Sequence, residues 1–236
     1  MLTDRGRGRL VGGLTFLQLV GLIVPFVLLL PIATPPGEYL ASAADSSTRV
    51  LAGVLLLLVN GAVTIGISIA AWPTLRRTSE ALALWLVVLG ALMLAVQMVD
   101  NIHILSMLSL SQAHAAAGAA ADSLREVAAA IGATRRWAHL SELLVIDAWI
   151  LVFYLSLIRA GALPRLLSAF GLLTVAAHLV AIPLPGFLGL RAVAEAGMPM
   201  ALSHLATASW LVAKGLGPRS STVDSPAEGY RRLSGE

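Results

Sequence analysis

The sequence predicts an all-α integral membrane protein: a bundle of six transmembrane helices, with one extra short extracytoplasmic helix between spans 3 and 4. Three observations lead to this prediction. The 236 residues are 58% hydrophobic and only 12% charged, a balance outside the range of ordinary soluble domains. The apolar residues form runs long enough to cross the ~30 Å hydrocarbon core of a bilayer. Charged residues, proline and glycine gather between those runs.

Charge and chain breakers mark the ends of the six predicted spans. The first span follows an arginine-rich start, and its length, without a small-residue cleavage site, favours a retained helix over a signal peptide. The predicted spans cover residues 10–32, 50–72, 81–105, 138–157, 166–182 and 198–213. We therefore expect a six-span transmembrane domain over residues 1–213 and a disordered cytoplasmic tail over 214–236, which is rich in Ser, Pro and Gly.

The longest connector, residues 109–136, is predicted to hold the extra helix. Ser123 and Glu126 have the spacing of a capping box, which satisfies free amide groups at a helix start. Gly132 is predicted to end this helix, which would lie on the membrane surface or over the bundle. A second short interfacial helix is predicted within Phe187–Gly197.

The basic residues predict the orientation. The N-terminus, the loops at 73–80 and 158–165, and the tail hold eleven of the sixteen Lys and Arg residues. This bias predicts cytoplasmic termini and a multi-pass protein of the inner (plasma) membrane. The formal net charge of +3 is too small to indicate a nucleic-acid partner. The absence of cysteine excludes disulfides, thiolate metal sites and thiol nucleophiles.

A polar centre is predicted where the third and fourth spans approach the outer face. Ionisable residues inside a membrane are costly and by default indicate function. Asp100 and His103 end the third span, and His139 and Glu142 begin the fourth. Because the two spans run antiparallel, the reversed order predicts His103 level with His139, and Asp100 level with Glu142. Asp147 would lie deeper.

Two further histidines extend this centre. His178 of the fifth span and His204 of the sixth are expected at a similar depth, with Asn60 approaching from below. Histidine with carboxylate is the ligand set of zinc or non-haem iron, and it partly matches di-iron helix bundles. The predicted metal ligands are His103, His139, His178, His204, Asp100 and Glu142.

Each polar residue also has a structural interpretation. A lone His178 or His204 in a membrane bundle often bonds a neighbouring helix. Arg135 or Arg136 could pair with Glu142 without any chemistry, and the buried amides could bridge helices. The expected coincidence of depth across four spans favours function, because packing alone does not require it.

Two motifs flank the membrane spans: RGRLVGGLTFL at residues 7–17 and LIRAGALPRLLSAFG at residues 157–171. They resemble segments of the bacterial membrane proteins of domain-of-unknown-function family 4386. The resemblance implies a six-span bacterial membrane protein with no agreed activity, and both motifs look like scaffold. The polar centre is inferred from the residues of this chain and not from the family.

Three functional hypotheses follow. The first is a membrane enzyme whose metal activates water or oxygen against an apolar or lipid-like substrate entering from the bilayer. Its catalytic carboxylates would be Asp100, Glu142 and Asp147. The second is a metal-free isoprenoid cyclase or isomerase, in which buried Asp and Glu protonate an alkene or epoxide. The third is a small-ligand carrier or sensor, which the clustering of polar residues at one end and the lack of an inverted repeat disfavour.

Overall fold

A computed structural model describes residues 3–117, 123–184 and 193–216, and the regular elements in these ranges are all helical. Short 3₁₀ turns, Leu30–Ile32 and Ala44–Ser46, flank the second helix. The helices are α1 Asp4–Leu28, α2 Pro36–Ser42, α3 Ser47–Leu75, α4 Glu80–Ala117, α5 Ser123–Arg159, α6 Arg165–Ala181 and α7 Val193–Lys214.

Four segments are long and apolar enough to cross a membrane. They contain α1, α3, α4 and α5, with mean hydropathies of 2.2, 2.4, 2.4 and 1.9. α6 is a shorter apolar helix of 17 residues. The chain therefore has the build of a multi-pass membrane protein. Most of the interfacial helix predicted at residues 187–197, and the tail from residue 217, lie outside the described ranges.

The two described ends of the chain meet on one side of the bundle. The backbone N–H of Leu216, just after α7, donates to the carbonyl of Asp4 at 3.4 Å. The Asp4 carboxylate accepts a hydrogen bond from the Thr74 hydroxyl at 2.8 Å and pairs with Arg77, both at the α3 end. We call this the terminal side and the opposite end the distal side.

The two motif segments pack into one hydrophobic core toward the terminal side. Val11 of the first motif is completely buried in the same cluster as Leu157 and Leu163 of the second. Trp210 of α7 donates its indole N–H to the carbonyl of Ala162 at 2.8 Å. Residues of both motifs therefore contribute to the packing of the helices.

α4 and α5 pack antiparallel in one register. The indole nitrogen of Trp149 in α5 lies 3.5 Å from the position that a Cβ on Gly90 of α4 would take. Asp100 lies ten residues after Gly90 on α4, and it faces His139, which lies ten residues before Trp149 on α5. The predicted pairing of Asp100 with Glu142 is thus offset by three residues, or ~4.5 Å. The offset arises because Trp149 packs where Gly90 has no side chain, and its N–H donates to the Ser68 hydroxyl at 3.0 Å.

The prediction of a separate short helix between spans 3 and 4 is wrong. Residues 109–117 continue α4, and α5 begins at Ser123, where the capping box predicts a helix start. Gly132 lies inside α5 because one glycine costs only about 1 kcal/mol relative to alanine in a helix, which the surrounding alanines tolerate. With 38 and 37 residues, the two helices are each nearly 60 Å long, about twice the thickness of the hydrocarbon core.

The short helix instead lies between α1 and α3. Tyr39 of α2 is completely buried and donates its hydroxyl to the carbonyl of Ala128 in α5 at 3.1 Å. Burial raises the pKa of the Tyr39 phenol, which keeps it protonated as a donor. The Ser111 hydroxyl of α4 donates to the carbonyl of Leu40 at 3.0 Å. α2 and the distal parts of α4 and α5 form a unit with its own apolar core, which we call the distal cap.

Candidate functional site

The polar centre lies one membrane thickness from the terminal side. Asp100 follows the start of α4 at Glu80 by twenty residues, or ~30 Å of helix rise. Glu142 precedes the end of α5 at Arg159 by seventeen residues, or ~26 Å. A ~30 Å hydrocarbon core that began at these two helix ends would have its distal boundary near both carboxylates, just below the distal cap.

Three side chains meet there with the spacing of metal ligands. The Nδ1 atom of His139 is 3.4 Å from Oε2 of Glu142 and 3.8 Å from Oδ2 of Asp100. One potential ligand atom from each residue lies within 4.8 Å of the other two. His139 and Glu142 are three residues apart and share a face of α5. The carboxylates are buried, whereas the His139 side chain is 50% exposed, so the cluster opens on the histidine side.

Arg135 completes the immediate surroundings of Asp100. Its Nε atom lies 3.4 Å from Oδ1 of Asp100, and its side chain is 20% exposed. Both atoms are buried, yet neither forms a hydrogen bond within the described residues. An unmade hydrogen bond to a buried charged group is costly. These two atoms therefore form an ion pair without a hydrogen bond.

Three buried amides lie around the cluster. Oε1 of Gln97 is 2.7 Å from where a Cβ on Gly61 would lie, and Oδ1 of Asn60 is 2.5 Å from the same point on Gly21. Each oxygen thus lies close to a glycine of a neighbouring helix. Both oxygens, and both amide atoms of Asn101, have no hydrogen-bond partner among the described residues. The first two positions fit the interpretation of these amides as interhelical contacts.

The structure places two histidines of α4 outside the cluster. His103 is half-buried and donates its Nδ1–H to the carbonyl of Val99 at 2.8 Å, while His139 faces Asp100 rather than His103. His114 was expected in a connector outside the spans, but it belongs to α4. Both positions follow from the unbroken course of α4 and from its register with α5.

A second polar centre joins α5 to α6. Nδ1 of His178 donates to both carboxylate oxygens of Asp147, at 2.8 and 2.9 Å. Asp147 is completely buried, and only 4% of His178 is exposed. Asp147 follows Glu142 by five residues, so the pair lies ~7.5 Å deeper in the bundle. Gly197 of α7 lies beside the other ring nitrogen, since a Cβ there would be 3.6 Å from Nε2.

His204 occupies a third location, between α5 and α7. Its ring lies edge-on to Tyr154, with centroids 5.5 Å apart and planes at 87°. Its Nδ1–H donates to the carbonyl of Met200 at 3.2 Å, and its Nε2 is buried without a partner among the described residues. Tyr154 donates its hydroxyl to Ser203 at 3.0 Å. This histidine therefore lies among buried polar side chains between α5 and α7.

Of the six predicted metal ligands, the structure brings Asp100, His139 and Glu142 together. It places His103, His178 and His204 at separate positions. Sequence reasoning considered Arg135 only as a partner of Glu142. The sequence does indicate its position, because Arg135 precedes His139 by four residues and therefore lies on the same face of α5.

No curated protein and no solved structure matches this chain. The sequence model of a protein family described as "Domain of unknown function (DUF4386)" matches residues 10–215. That range contains α2 to α7 in full, the whole of the second motif and both polar centres. The chain therefore belongs to the DUF4386 family.

Proposed function

We propose that the protein is a metal-dependent membrane enzyme whose zinc or non-haem iron ion is held by Asp100, His139 and Glu142. One observation carries this proposal: the three ligand atoms lie within 4.8 Å of one another. One histidine with two carboxylates is a ligand set that such ions accept. Three protein ligands also leave a coordination position open, as in catalytic zinc sites.

The electrostatics of the cluster support a bound cation. Two buried carboxylates close together in a low-dielectric layer repel each other, and the ionised pair is costly without a counter-charge. Arg135 supplies one positive charge but forms no hydrogen bond to Asp100. A divalent ion between the carboxylates would offset the remaining repulsion. Once bound, such an ion lowers the pKa of a water ligand or polarises a substrate oxygen.

The surroundings support an apolar or lipid-like substrate. At the level of Asp100, the outward side of α4 exposes Met98, Val99 and Ile102, with 52%, 47% and 61% of each residue accessible. In a membrane these side chains contact lipid. A substrate held in the bilayer would contact this surface at the level of the cluster, and its polar end would reach the cluster from the side of the half-exposed His139.

Metal binding is tested on protein purified in detergent, by elemental analysis and titration calorimetry. We expect the wild type to hold close to one equivalent of ion. Asp100→Asn and Glu142→Gln should each weaken binding more than the ~10- to 100-fold typical of residues outside the ligand shell. Glu38→Gln, at an exposed glutamate of α2, is the matched control. A wild type that holds no more metal than Glu142→Gln would refute the proposal.

The buried pair of Asp147 and His178 supports a second candidate, a metal-free acid–base enzyme such as an isoprenoid cyclase or isomerase. In this candidate Asp147 orients and charges His178, rather than protonating substrate itself. Infrared difference spectroscopy separates the two roles. A neutral carboxyl band that disappears in Asp147→Asn would favour Asp147 as the acid, and its absence would leave the imidazole as the proton carrier.

We further propose a six-span topology with cytoplasmic termini in the plasma membrane. The lysine and arginine bias and the meeting of both described chain ends on the terminal side support it. The chain has no native cysteine, so single-cysteine labelling is unambiguous. On intact cells a membrane-impermeant maleimide should label Thr48→Cys, at the distal side, and not Thr78→Cys, at the terminal side. Both positions are exposed. The reverse pattern would place the polar centre toward the cytoplasm.

A further inference from the structure

Arg135 presents a positive group beside the proposed metal centre, where it forms an ion pair with Asp100 but no hydrogen bond to it. Its Nε and the Oδ1 of Asp100 are 3.4 Å apart, both buried, and neither is hydrogen-bonded within the described residues. Asp100 is only 3% exposed. Arg135 also lies on the α5 face that carries His139 and Glu142. The guanidinium is therefore held at the centre by an ion pair to Asp100, and its side chain remains 20% exposed.

The charges there point to an anion. With a divalent ion bound and His139 neutral, two carboxylates and one guanidinium leave a formal net charge of +1. In a poorly solvated layer a positive centre attracts an anionic ligand strongly. An arginine fork matches two oxygens of a phosphate or carboxylate at once. A carboxylate offers only two oxygens, whereas a phosphomonoester offers three, enough for the fork and for the metal.

We propose that this centre binds the phosphomonoester head group of an amphiphile, with one oxygen on the metal and two on Arg135. This inference rests on the proposed metal site and names its substrate class. The depth of the centre, ~30 Å from the start of α4, is that of a lipid head group. The exposed apolar surface at Val99 lies just beside it and would contact the alkyl chain.

The test uses full-length protein loaded with Mn²⁺ in a phosphate-free glycoside detergent. The ³¹P relaxation of 1-oleoyl-lysophosphatidic acid reports binding next to the ion, because paramagnetic Mn²⁺ shortens it. We expect Arg135→Ala to weaken this binding ~10- to 100-fold, the effect of losing a two-pronged charge-assisted contact. Arg135→Lys should restore only part of it, because lysine keeps the charge and loses the fork. Arg136→Ala, at the exposed neighbouring arginine, should leave it unchanged.

The outcomes distinguish failure of the metal site from failure of the inference about the head group. A wild type that binds neither Mn²⁺ nor Zn²⁺ refutes both the metal site and this inference. If Mn²⁺ binds normally but Arg135→Ala and Arg136→Ala bind the lipid equally well, only the inference fails. If Arg135→Ala loses Mn²⁺ itself, Arg135 supports the carboxylates and the inference also fails. If inorganic phosphate binds as tightly as the lysolipid, the oxyanion assignment stands and the amphiphile is rejected.

Discussion

Replacing Asp147 with alanine is expected to lower the free energy of unfolding by about 3–5 kcal/mol, the cost of removing one partner from a buried ion pair. The carboxylate is completely inaccessible, and both of its oxygens accept from His178 at 2.8 and 2.9 Å. Without it, the imidazole keeps a buried N–H and loses its acceptor. Equilibrium unfolding in mixed detergent micelles measures the loss.

Two further variants serve as comparisons for the unfolding measurement on Asp147→Ala. Asp147→Asn keeps the shape and one acceptor oxygen, so we expect a loss of only about 1 kcal/mol, the usual scale of one hydrogen bond. Asp45→Ala removes an exposed carboxylate between α2 and α3 and should change stability by less than about 0.5 kcal/mol. A loss in Asp147→Ala no greater than in Asp45→Ala would mean that the pair contributes nothing to holding α6 against α5.

Replacing Gly8 with leucine is expected to disrupt the packing of α1 against the end of α7. A Cβ on Gly8 would overlap backbone atoms of Gly215 and Leu216. Backbone cannot rotate away as a side chain can, so the cost should reach or exceed the upper end of the ~1–3 kcal/mol typical of overpacking. We expect a clear fall in the melting temperature of the purified protein.

Gly13→Leu is the matched control on the same helix. No atom lies within 4 Å of the position that its Cβ would take. Leucine is also a better helix former than glycine by up to about 1 kcal/mol, so this variant should melt at or slightly above the wild-type temperature. Equal destabilisation by both substitutions would locate the effect in α1 itself and not in its contact with α7.

The sequence was sufficient to predict the class of fold, because long apolar runs in a chain so poor in charge have few alternatives. It was also sufficient to predict that Asp100 and Glu142 come together, since consecutive spans run antiparallel and bring those positions close in depth. The scaffold role of the two motifs could be inferred because they contain small and apolar residues without chemical groups.

The register of α4 and α5 could not be predicted from the polar residues. It depends on Trp149 fitting against Gly90 and reaching Ser68 on a third helix, a tertiary contact without a local pattern. The length of the two helices was missed for another reason. Polarity in residues 109–136 indicates departure from the membrane, but it does not end a helix. With alanine in excess and no proline in that segment, both helices extend beyond the predicted ends of their spans.

The unbroken course of α4 and α5 through the cluster also bears on how an ion would be captured. Both helices are regular on either side of Asp100 and His139, and the distal cap clamps them beyond that point. The backbones carrying the three ligands are thus preorganised, and little conformational entropy is lost when an ion binds. Selectivity between metal ions would then follow from the fixed distances between the three ligands on the two rigid helices. An ion of unsuitable radius would bind weakly, because the helices do not move to accommodate it.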